Sequence, residues 1–176
     1  MARYFVLLLF FLASISAGCA SPIHAAEPIP VGKDFSSRHI GRQVEVLLDP
    51  SHELTFADIA SPRYSGVFKL HGAKGFNYGM KADIIWLRFR ISSPQRRHHA
   101  DRLVLAVDKS NFPYADLFVP GLDGAIESYT RIRSSYLDRT SPHILRYRYP
   151  VFKLPQSIPA EGYFYLRITP NTSRIQ

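Results

Sequence analysis

Residues 84–91 read Ile84-Ile85-Trp86-Leu87-Arg88-Phe89-Arg90-Ile91. In an extended chain Ile85, Leu87, Phe89 and Ile91 share one side, while Trp86, Arg88 and Arg90 share the other. Strict alternation among β-branched and aromatic residues marks a strand with at least one face in a core. The same period recurs at Tyr163–Thr169, where Phe164, Leu166 and Ile168 oppose Tyr163, Tyr165 and Arg167. Leu103–Val107 is apolar on both sides, so both of its faces are expected to be covered. Ala115–Val119 is a further strand. It runs into Pro120-Gly121-Leu122-Asp123-Gly124, whose Gly and Asp residues tolerate the dihedrals of a tight reversal. Gly124–Arg133 is expected to return as the next strand. Gln43–Leu48, stopped by Asp49-Pro50, and Tyr147–Leu154 complete the set.

No segment long enough for three helical turns keeps an apolar helical period. One short helix is expected at Leu54–Ala60, with Thr55 as N-cap and Asp58 three residues on, stopped by Ser61-Pro62. About seven short strands with Gly and Pro punctuation argue for an all-β, antiparallel β-sandwich. The length of 176 residues suits one such domain. Hydrophobic residues at 46% exclude a disordered chain, despite a formal charge of +8. A single Cys excludes an intramolecular disulfide framework and any multi-cysteine metal site.

The first residues read as an address. Arg3 precedes an apolar run centred on 5–12, and small residues follow up to Ala20. That is the layout of a secretory signal peptide, taken as residues 1–26. Two cleavage readings stand. One is ordinary cleavage at Ala25-Ala26. The other makes Ser16-Ala17-Gly18-Cys19 a lipobox, with Cys19 lipidated and the chain held at a membrane surface. Residues 27–41, with Pro28 and Pro30, read as an extended leader. Residues 42–176 then form the sandwich domain, exported to the periplasm or to the outer face of the cytoplasmic membrane.

No catalytic constellation is present in the sequence, and no cofactor is expected. His-Glu-x-x-His, Gly-x-Ser-x-Gly and phosphate-cradling Gly loops are absent. His98 and His99 are adjacent and would point to opposite faces of a strand, so they make no metal site. The scattered carboxylates Asp101, Asp108, Asp116, Asp123 and Asp138 read as turn and surface residues.

The binding candidates are Trp86 with Arg88 and Tyr165 with Arg167. An aromatic ring stacks on sugar C–H groups, and a guanidinium beside it offers a planar fork of donors. The alternative is that Trp86 belongs to the core and the arginines pack their stems over the sheet. A second basic concentration, Arg131, Arg133, Arg139, Arg146 and Arg148, is interleaved with Tyr129, Tyr136, Tyr147 and Tyr149; Arg139 and Tyr147 join the candidate set. In an exported chain these basic residues point to anionic sugars or membrane surfaces, not to nucleic acid.

Taken in order, several of these segments resemble one known family. They are Val44-Glu45-Val46-Leu47-Leu48-Asp49, Leu54-Thr55-Phe56-Ala57-Asp58-Ile59, Trp86-Leu87-Arg88-Phe89 and Leu105-Ala106-Val107-Asp108. Ala115–Pro120, Tyr149–Leu154 and Tyr165-Leu166-Arg167-Ile168 continue the series. The resemblance, over roughly 40–170, is to the second extracytoplasmic sensor type of bacterial seven-transmembrane receptors with diverse intracellular signalling modules. It implies a jelly-roll-like sandwich similar to carbohydrate-binding modules. It also implies a non-catalytic role in sensing a small-molecule or carbohydrate ligand, with the receptor's own membrane helices as partner. Relatives continue into a last strand, membrane helices and an output domain, so the chain is expected to be a truncated or fragment form. A free-standing exported lipoprotein, carbohydrate-binding or adhesin-like, is the competing expectation.

Overall fold

A computed structural model describes residues 26–32, 35, 37–73, 83–92, 103–107, 114–134, 150–155, 157–159 and 162–170. Cys19, Arg139 and Tyr147 lie outside the described residues. Ten strands and one short α-helix occur within them. They are β1 (Ile29–Pro30), β2 (Glu45–Asp49), α1 (Phe56–Ala60), β3 (Lys69–Leu70), β4 (Ile84–Phe89), β5 (Ile91–Ser92), β6 (Val104–Ala106), β7 (Tyr114–Val119), β8 (Thr130–Ser134), β9 (Val151–Lys153) and β10 (Phe164–Thr169).

The main sheet has six strands in the order β3-β2-β4-β10-β7-β8, and every pairing in it is antiparallel. β6 pairs with β9, and β1 lies parallel to β5. The chain is therefore the all-β sandwich that the alternation predicts. β4 and β10 sit at the centre of the main sheet, which is why their apolar alternation is the cleanest in the sequence.

Register lines up the inner face. Val46, Leu87, Leu166, Leu117 and Ile132 face one another in turn across five strands. Ile85, Phe89, Phe164, Ile168, Ala115 and Val119 extend this face, and Phe152 and Leu154 with Leu103, Leu105 and Val107 pack against it. Phe89 and Phe164 stack with ring centroids 5.5 Å apart. The stretch that reads as a leader contributes Ile29 and Val31 to this same core, through the β1–β5 pairing.

Part of the outer face is covered as well, by residues 50–68. Asp49 pins the chain where it leaves β2. Its carboxylate accepts from Ser51 Oγ at 2.6 Å, His52 N at 3.0 Å and Leu54 N at 3.2 Å. These bonds hold His52 at φ 64°, a conformation that side chains other than Gly adopt rarely. α1 then starts on the expected cap. Thr55 Oγ1 accepts from Asp58 N, and the Asp58 carboxylate accepts from Thr55 N at 2.8 Å, a reciprocal capping box. Five residues are too few for a stable isolated helix, so α1 depends on seating Ile59 and Phe56 against the sheet.

Gly124–Arg133 differs from expectation. Gly124 takes φ 71° in the predicted reversal, but Ile126–Ser128 form a 3-10 turn and the strand begins only at Thr130. Local bonds compete with the ladder there. Asp123 Oδ1 accepts from Ala125 N, and Ser128 Oγ donates to the Ala125 carbonyl.

Candidate functional site

The antiparallel register gathers Trp86, Arg88, Tyr165 and Arg167 onto the outer face of the main sheet, in two neighbouring rows. One row runs Glu45, Arg88, Tyr165, Phe118, Arg131. The next runs Leu47, Trp86, Arg167, Asp116, Arg133. The sequence shows each pair on its own strand; the sheet places the pairs side by side.

One half of this face is closed. Arg88 is buried, and its Nε donates to Glu45 Oε2 at 2.6 Å while Nη2 donates to the Ser65 carbonyl at 2.7 Å. Its guanidinium lies 4.3 Å from the Phe68 ring centroid and 4.7 Å from that of Tyr163. Arg88 is thus a clamp: it ties the covering segment to the sheet and has its charge met by a carboxylate and two aromatic faces. Phe56 of α1 stacks on Phe118 at 4.3 Å and meets Tyr165 edge-on at 5.6 Å. Tyr129 closes the group by donating from its hydroxyl to the Tyr163 carbonyl at 3.0 Å. Burial, reinforced by Tyr165 alongside, pushes the Tyr129 phenol up to about 12. Burial also raises Tyr165, although the Arg88 charge pulls the other way. Trp86, only 1% exposed, and Tyr165 are both buried in this second core. A ring in that position packs; it does not present a stacking platform to a sugar in solution.

The other half is open and basic. Asp116 is buried at the middle of β7, not at the surface turn that the sequence suggests. Two forks cover it: Arg131 and Arg133 each place Nε on Oδ1 and Nη2 on Oδ2, at 2.8–3.2 Å. Burial alone would raise the carboxyl, but the bonds from Arg133 and Arg131 win and hold it below the usual carboxylate range. The two arginine side chains remain about half exposed. Arg133 also lies over the exposed Tyr114 ring, and Arg167 lies over Trp86 at 5.7 Å.

Sequence reasoning missed Asp116 and Glu45. The signal for Asp116 was available in the hairpin: once β7 and β8 are paired, Asp116 falls opposite Arg133. The Glu45–Arg88 pair spans 43 residues and two non-sequential strands, which no local pattern reveals.

The family model described as 7TMR-DISM extracellular 2 matches residues 41–175. The chain belongs to that family. No curated protein and no solved structure matches it. As a 7TMR-DISM extracellular 2 domain it is an exported, extracytoplasmic sensor-family module. Among the described residues no helix is long and apolar enough to cross a membrane.

Proposed function

We propose that this domain is a non-catalytic ligand-sensing module, delivered by the residue 1–26 signal peptide and working outside the cytoplasmic membrane. The observation that carries the reading is the 7TMR-DISM extracellular 2 match across residues 41–175. The proposed partners are a small-molecule or carbohydrate ligand and a receptor's membrane helices. A ligand can shift such a receptor only by binding one of its states more tightly than the other. The basic half of the outer sheet face supports the reading, because the Arg131 and Arg133 side chains there remain about half exposed.

The test is thermal unfolding of the purified protein against neutral, amino and acidic saccharides, with the saccharides assayed afterwards for turnover. A saturable rise in the midpoint with the ligand recovered intact is expected. Hydrolysis of a bound saccharide would overturn the non-catalytic reading, and no shift with any compound would count against carbohydrate sensing.

Ser16-Ala17-Gly18-Cys19 favours a second reading, a lipid-anchored carbohydrate-binding or adhesin-like module. The intact mass of the exported chain separates the two. A first residue of diacylglyceryl-modified Cys19 favours the anchor, and a start at Glu27 removes it.

A further inference from the structure

Three arginines flank one carboxylate on the open half of the outer face, two of them bonded to it and one opposite it in register, and the carboxylate is already saturated. Asp116 receives four hydrogen bonds from Arg131 and Arg133, which fills the acceptor sites of a carboxylate. Arg167 stands opposite Asp116 on the adjoining strand yet takes no share of it. It turns over Trp86 instead, and its buried Nε has no acceptor among the described residues. The Trp86 indole Nε1, on a side chain 99% removed from solvent, likewise has none. Arg131 and Arg133 each keep one terminal nitrogen outside the Asp116 pair. Three cations and one anion leave two positive charges, on a partly exposed surface floored by an aromatic ring.

From this imbalance we infer that the row Trp86, Arg167, Asp116, Arg133 is a binding site for an oxyanion. The ligand group is a carboxylate or phosphate, carried by an acidic sugar or present as free inorganic anion. Arg167 supplies the unspent fork, and Arg133 and Arg131 supply the outer donors; the buried Trp86 ring lies beneath Arg167. Asp116 is not a ligand for a cation here. It is the fixed counter-charge that holds two arginines in place, so their ordering is settled before the ligand arrives. This assignment rests on the ligand-sensing reading and narrows it to a chemical class.

Isothermal titration of the purified protein with galacturonate, galactose and inorganic phosphate tests it, with Trp86, the single tryptophan, as a fluorescence reporter. Galacturonate should bind saturably, more weakly at high salt, while neutral galactose should not. Arg167→Gln should weaken binding by about tenfold or more. Arg167→Lys, which keeps the charge but loses the fork, should fall between. Lys153→Gln, on the exposed side of β9, should bind as the unaltered protein does. Unfolding midpoints of the variants separate lost binding from lost folding. Phosphate binding with the same Arg167 dependence supports the oxyanion site and names the free anion as its source. Galactose binding as tightly as galacturonate, or binding indifferent to Arg167→Gln, would overturn the oxyanion site while leaving ligand sensing in place. No binding by any of the three probes would overturn the oxyanion site outright. Sensing would then fail only if the wider saccharide panel were also silent.

Discussion

Glu45→Gln should be among the most destabilising single changes in the domain that preserve side-chain shape. The Glu45 carboxylate lies 2.6 Å from Arg88 Nε, with side-chain exposures of 1% and 6%. Removing one partner of such a buried pair typically costs about 3–5 kcal/mol, because the remaining charge stays desolvated. Arg88 keeps some compensation, since Ser65 still accepts from it and the Phe68 and Tyr163 rings still flank it. Those contacts place the expected loss near the lower end, about 3 kcal/mol. In a chain of this size that corresponds to a midpoint roughly 6–12 °C lower. Urea denaturation followed by far-UV circular dichroism and by Trp86 fluorescence gives the free energy directly. The double variant Glu45→Leu with Arg88→Met removes both charges and should be less destabilised than Glu45→Gln alone. The reasoning is refuted if Glu45→Gln stays within about 1 kcal/mol of the unaltered protein. It is equally refuted if the double variant is the less stable of the two.

Thr55→Ala removes the N-cap of α1 and should lower stability by about 1 kcal/mol in the same denaturation experiment, with faster hydrogen exchange at residues 56–60. Asp116 is held below the ordinary carboxylate range by Arg133 and Arg131, so its stabilising effect is complete above about pH 4 and is lost as pH falls through its folded value. Asp116→Asn should therefore be less stable near neutrality and show a shallower acid decline, measured as unfolding free energy against pH. The raised Tyr129 phenol has the opposite sign: its contribution is intact below about pH 10 and disappears as pH climbs toward about 12. Phenolate absorbance should show one late-titrating tyrosine fewer in Tyr129→Phe. Trp86→Ala should cost about 3–5 kcal/mol, as expected of a core residue and not of a surface platform.

The strands were legible wherever alternation alone decides them. Ile84–Phe89 and Phe164–Thr169 lie at the sheet centre, where inner and outer side chains face different environments and the period of two is strongest. The Thr55–Asp58 cap was legible because its chemistry is local. The strand after β7 was misjudged by several residues because Asp123 and Ser128 bond their own neighbours, which periodicity does not register. The outer face was half legible. Its aromatic and arginine residues were visible on single strands, but two facts decide their roles. One is that residues 50–68 fold over part of the sheet, turning Trp86, Arg88 and Tyr165 into a packed core. The other is that two arginines saturate Asp116 and leave Arg167 over. Both depend on register between strands far apart in the chain.

The most direct test of the ligand surface uses the single tryptophan as an address. In a nitrogen–proton correlation spectrum the indole N–H of Trp86 gives one side-chain resonance. Titration with galacturonate should move that resonance saturably, together with backbone signals of residues 165–169 and 131–134, while those of β6 and β9 stay still. A saturable titration whose shifts fall elsewhere, with the Trp86 indole unmoved, would contradict the assignment of this face as the site.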